Sequence, residues 1–170
     1  MIGAGLNAAA PSTDLGSVTL GPPFQKDPLK VTVTRLEAQA QQTVLQLSVA
    51  SVNADTRVAP SMFSGFVFNE SAVPPAAYLN FLTVIDRTSD VRLFPYQYRW
   101  QPNTKPRQAC VCMGSTLVQN HPQTWTVILP PLPANTTTAD VNLPAGVTDS
   151  YLARAPKTAA TIKNVHVTHT

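Results

Sequence analysis

Charge is what this 170-residue chain has least of, with Asp, Glu, Lys and Arg together at 12%. That is about half the usual share. The formal net charge is only +3, too mild and diffuse to imply nucleic acid, which would need Lys and Arg concentrated on one face. Glutamate is nearly missing, with Glu37 and Glu70 alone, so acid–base chemistry would have to draw on a handful of aspartates. No run of 18 or more apolar residues occurs, so no helix here is long and apolar enough to cross a membrane. Gly-x-Ser-x-Gly, His-Glu-x-x-His, a Walker loop and a dinucleotide fingerprint are all absent, which removes the common signatures of hydrolases, metalloproteases and nucleotide enzymes. The reading is a non-enzyme with no cofactor and no metal.

Hydroxyl and amide residues take the place of charges, and 16 prolines punctuate the whole length. Proline at that density argues for short strands joined by loops and against long helices. Where a period is visible it is two. Val31 and Val33 alternate with Thr32 and Thr34, with Arg35 continuing the row, and Leu45, Leu47 and Val49 share one face. Thr43 and the nearby glutamines suit an exposed hairpin end. Phe66 and Phe68 alternate around Val67, and Leu79–Asp86 and Val91–Tyr98 read as strands around a polar turn at Arg87-Thr88-Ser89-Asp90. Trp125, Val127 and Leu129 share a face, Val141 and Leu143 form another strand, and 162–167 is the last. Pro102–Ala109 and Gly146–Thr161 read as polar loops.

About seven or eight strands at spacings of roughly 10–20 residues predict an all-β, immunoglobulin-like antiparallel β-sandwich. The predicted core is Val31, Val33, Leu45, Leu47, Val49, Phe66, Phe68, Leu82, Val84, Trp125, Val127 and Leu129. A chain of this length fits one domain, here 17–170, behind a flexible leader over 1–16 that contains Ala8-Ala9-Ala10.

From Leu82 onward, Val84-Ile85-Asp86, Phe94-Pro95, Cys110-Val111-Cys112, Ile128-Leu129-Pro130-Pro131 and the Thr137–Pro144 strand follow one another. This order resembles an actinobacterial extracytoplasmic immunoglobulin-like domain family with a Cys-x-Cys motif, found in some members beside OmpA-type domains. The resemblance implies an extracytoplasmic domain without assigned activity.

The two cysteines are the conspicuous reactive pair. A Cys110–Cys112 disulfide closes a very small ring and demands a bent backbone; reduced thiols are the alternative. A zinc site would need two more ligands, drawn from His121, His166 or His169 in distant segments, and a redox pair would be Cys-x-x-Cys at a helix start. Asp86, Asp90 and Asp140 could assemble a glycosidase pair, but Asp86 and Asp90 flank a turn and read as solvated acids.

The candidate binding surface is Tyr98, Arg99, Trp100, Lys105 and Arg107, at the end of the aromatic and basic stretch that starts at Arg92. Tyr, Trp and Arg dominate binding hot spots, and aromatics with bases suit glycans or acidic polymers. Alternation puts Phe94, Tyr96 and Tyr98 on one face, which is either core or contact surface. The expected role is a non-enzymatic extracytoplasmic binding or structural module, secreted or in the cell envelope. Its partner would be a protein or an envelope component, with no nucleic acid and no more than a peripheral membrane association. The alternative is a structural component of an oligomer or larger assembly, such as a phage decoration or tail protein.

Overall fold

The computed structural model describes residues 13–22, 28–53, 82–100, 107–113, 121–144 and 158–170. The elements among them are all strands: β1 (Ser17–Leu20), β2 (Leu29–Ala38), β3 (Thr43–Ser51), β4 (Thr83–Asp86), β5 (Val91–Leu93), β6 (Gln97–Trp100), β7 (Arg107–Cys110), β8 (Cys112–Met113), β9 (Gln123–Leu129), β10 (Thr138–Pro144), β11 (Thr158–His166) and β12 (Thr168–His169). One sheet runs β1-β2-β3-β9-β8, with β12 joining β2 in parallel; the second runs β11-β10-β4-β5; β6 and β7 form a separate two-stranded ribbon.

The strand order has a recognisable logic. β2 and β3 lie in the first sheet, β4 and β5 in the second, β8 and β9 in the first, β10 and β11 in the second. Both sheets are closed by non-consecutive antiparallel pairs, β3 with β9 and β4 with β10. In immunoglobulin letters β2-β3-β9-β8 is A-B-E-D and β11-β10-β4-β5 is G-F-C-C′. The expected immunoglobulin-like antiparallel sandwich is therefore the observed one.

Its core follows from the alternation. Leu45, Leu47 and Val49 of β3 are fully buried, facing Val31 and Val33 of β2, and Trp125, Val127 and Leu129 of β9 lie beside them in register. Each such side chain contributes about 1.5–3 kcal/mol on burial. Val84, Leu93, Val141, Leu143, Ile162 and Val165 complete the cluster from the second sheet. Leu82 is buried as predicted, whereas Phe66 and Phe68 lie outside the described residues.

Several expectations change. Arg35 does not continue the Val31–Val33 row: pairing steps from Val33↔Leu47 to Arg35↔Gln46, so Thr34 is an extra residue. Such a bulge shifts the phase of a strand, here burying Leu36 in place of Arg35. Thr43 is fully buried, because its Oγ1 accepts a hydrogen bond from the Leu132 N–H at 2.9 Å. The Val91–Tyr98 strand is two strands in two different sheets, divided at Phe94-Pro95-Tyr96. Proline has no N–H to give a ladder, so pairing with β4 stops there.

Of the predicted leader, residues 13–16 are described. The Leu15 N–H donates to the Val33 carbonyl at 2.9 Å and the Gly16 carbonyl accepts from the Val33 N–H at 2.8 Å, so pairing to β2 begins before Ser17. The strand expected over 162–167 is β11, which runs from Thr158 to His166 and is followed by β12, and Arg107–Ala109 belong to β7 rather than to a loop.

Candidate functional site

The chain leaves the second sheet at Leu93 and enters the ribbon at Gln97. Between them Tyr96 joins a closed ring of backbone hydrogen bonds. The Tyr96 N–H donates to the Ile128 carbonyl at 2.9 Å, the Ile128 N–H to the Val111 carbonyl at 3.0 Å, and the Val111 N–H to the Tyr96 carbonyl at 2.6 Å. One residue from each of three segments is thereby fixed at the base of the ribbon.

Val111 is also where the backbone bends between β7 and β8. The bend brings the sulfurs of Cys110 and Cys112 to disulfide distance, 1.96 Å, with the Cα atoms 5.3 Å apart. Cys110 packs into the core cluster and Cys112 packs against it, while Val111 between them is exposed. The predicted pair is thus in place, and it fastens the ribbon base to β9, which Cys112 meets at Val127.

Around this base the large apolar side chains face water. Phe94 is 51% exposed, Tyr96 40%, Tyr98 43% and Val111 40%. Leu93 and Pro95 between them are buried and Arg92 is exposed, so an alternating row of Arg92, Phe94, Tyr96 and Tyr98 points outward. This resolves the choice between core and surface for the three aromatics. Gln97 is exposed as well as Tyr98, so both sides of the ribbon are uncovered there. The Tyr96 hydroxyl reaches the Gln41 carbonyl at 3.4 Å.

Of the predicted binding residues, Tyr98 is therefore at the surface. Arg99, Trp100 and Arg107 lie on the ribbon backbone, Trp100 opposite Arg107 and Arg99 opposite Gln108. Lys105 lies outside the described residues. Phe94, Tyr96 and Val111 were outside the predicted set, although the Phe-Pro-Tyr interruption marks where an exposed row could begin. The charge is less evenly placed than its size suggests: from Val91 to Ala139 there are Arg92, Arg99, Lys105 and Arg107 and no Asp or Glu.

The aspartates behave differently from the reading of solvated turn acids. Asp90 is exposed, at φ 54, but Asp86 and Asp140 are buried. Burial alone would raise the Asp86 carboxyl. Hydrogen bonds from the Thr136 hydroxyl at 2.6 Å, the Ser89 hydroxyl at 2.7 Å and the Thr88 N–H at 2.9 Å outweigh it and hold the group below its ordinary range. Burial likewise opposes ionisation of Asp140, and the Asn164 N–H at 2.9 Å together with the Arg87 guanidinium lowers it. A glycosidase needs one carboxyl held protonated; both of these are pushed the other way. They tie turns to strands. Among the described residues no three His, Cys, Asp or Glu side chains gather where they could hold a metal ion. Comparison with family models, with curated proteins and with solved structures finds no match.

Proposed function

We propose that this chain is a non-enzymatic extracytoplasmic module, secreted or part of the cell envelope, whose contact surface is the base of the β6–β7 ribbon. The observation that carries the reading is the outward row Phe94, Tyr96 and Tyr98 beside Val111. Exposed apolar side chains gathered in one place mark interaction sites more often than chance exposure does, and Tyr combines a rigid apolar body with a hydroxyl that stays hydrated. Tyr96 and Tyr98, held by backbone pairing, lose little freedom on binding, which favours affinity. The extracytoplasmic part rests on Cys110 and Cys112, because disulfides persist in oxidising compartments and are rare in the cytosol.

The test uses the purified chain and fractionated cells. The chain is expected to sediment with envelope fractions and not with cytosol, and Tyr96→Ala/Tyr98→Ala is expected to abolish that without altering the unfolding midpoint. Retention that survives the double variant would remove the ribbon from the reading. Self-association that grows with concentration and is lost in the same variant would reassign the surface to contacts between copies, as in a phage tail or decoration layer.

A further inference from the structure

We infer that the ribbon base takes an acidic polysaccharide, its sugar rings against Phe94, Tyr96 and Tyr98 and its carboxylate or phosphate groups toward Arg92. The inference rests on the binding-module reading above and names the ligand class of that surface. Three features of the site support it.

The first is shape. Positions 94, 96 and 98 alternate outward from the connection after β5 into β6, and side chains at i and i+2 of an extended chain stand about 7 Å apart. A pyranose ring presents a C–H-rich face that packs on an aromatic ring while its hydroxyls stay in water. A row of aromatics therefore suits an extended chain of rings.

The second is charge. The stretch from Val91 to Ala139 contains four cations and no acid, although the exposed Asp90 stands two positions before Arg92. Arg92 is the described cation of the row. Its guanidinium can grip a carboxylate or phosphate through two parallel hydrogen bonds. One described cation among the exposed positions 92, 94, 96 and 98 gives a single ionic contact beside the aromatic faces, whereas a nucleic acid draws its affinity from many phosphate contacts.

The third is what the backbone withholds. A peptide that binds by adding a strand needs free N–H and C=O groups along an edge. At the ribbon base the Tyr96 N–H and C=O and the Val111 N–H and C=O are already bonded within the ring through Ile128. At those two residues, side-chain faces are what the surface offers.

The experiment measures retention of the intact chain on immobilised polygalacturonate, dextran and oligo-dT at several salt concentrations. Polygalacturonate is expected to bind, weakening as salt rises; dextran and oligo-dT are expected to bind at least tenfold less. Tyr98→Ala should weaken binding about tenfold, as loss of one stacked ring does elsewhere. Arg92→Gln should flatten the salt dependence. Both substitutions are on exposed side chains, and an unchanged unfolding midpoint shows that the fold is intact. Equal binding to dextran, or tighter binding to oligo-dT, overturns the inference. So does envelope binding that depends on Tyr96 and Tyr98 while polygalacturonate neither binds nor competes, in which case the module reading stands without it. Absence of both envelope and polysaccharide binding sinks the two together.

Discussion

β3 and β6 obey the same period of two and come to opposite ends. β3 lies between β2 and β9 under the second sheet, and its Leu45, Leu47 and Val49 are fully buried. β6 has one neighbour, β7, and its Tyr98 is exposed on one side and Gln97 on the other. Alternation therefore sets that a segment is a strand, while the strands around it set which side is dry. In β3 the apolar residues hold the sandwich together. In the ribbon they remain available to something else.

The comparison breaks most visibly if the sandwich side proves indifferent to its apolar residues. Trp125 is 1% exposed at the centre of β9, so Trp125→Ala should cost about 3–5 kcal/mol. A loss below about 1 kcal/mol in chemical unfolding would mean that the indole contributes no more than a surface side chain. Next come the buried acids that fasten turns to the sandwich. Asp86→Ala leaves Thr136 and Ser89 without their acceptor and should cost about 2–3 kcal/mol.

The same groups set the pH dependence. The carboxyls of Asp86, Asp140 and Glu37 are all lowered in the folded chain; hydrogen bonds from Gln39 and Arg35 do this for Glu37. A lowered folded value contributes stability that is fully present above the unfolded value near about 4 and is lost as pH falls through the folded one. Stability should be level above about pH 5 and decline below pH 4, with a shallower acid limb in Asp86→Asn. An unchanged limb would assign the acid sensitivity to other groups.

A smaller effect tests how closely the sheets meet at the β1 edge. Gly16 has φ +145, and an added Cβ would stand 2.7 Å from Ile162 Cγ2. Gly16→Ala should cost about 2 kcal/mol from backbone strain and crowding together. A neutral result would show that the edge yields easily.

The same contrast explains what could be read from the chain. β3, β9 and β10 were legible because their alternation is strong and local, and the Arg87–Asp90 turn because polar residues there separate two apolar runs. The split at Pro95 was not. The apolar row of Val91–Tyr98 changes parity from Leu93 to Phe94, but only the pairing of Tyr96 with Ile128, 32 positions away, shows that the second half serves another sheet. Asp86 was misread for a similar reason: its turn partners Thr88 and Ser89 are local, but Thr136, 50 positions on, makes it a buried tie. The Thr34 bulge left no local sign, since Thr fits either phase of a strand. For the candidate site, the sequence marked the aromatic and basic stretch, while exposure of its row depended on what does not cover it.

The finest test of the contrast between sandwich and ribbon is reduction of the Cys110–Cys112 pair. A loop this short removes little entropy from the unfolded chain, so the global loss should be no more than about 1.5 kcal/mol, half that for a loop of 15 residues. The local effect should be larger. Val111 sits between the two cysteines and holds two of the three hydrogen bonds of the ring, so loosening it should release the amides of Tyr96 and Val111 to exchange. The amides of β3 are bonded between β2 and β9, with no cysteine in the ladder, and should exchange as before. Hydrogen exchange before and after treatment with a dithiol reductant reads both regions in one experiment. Faster exchange at Tyr96 and Val111 with β3 unchanged would make the pair a fastener of the ribbon alone. Unchanged protection at all of them would mean that the ring of hydrogen bonds holds the ribbon without it, and equal loss in β3 would mean that sandwich and ribbon open as one unit.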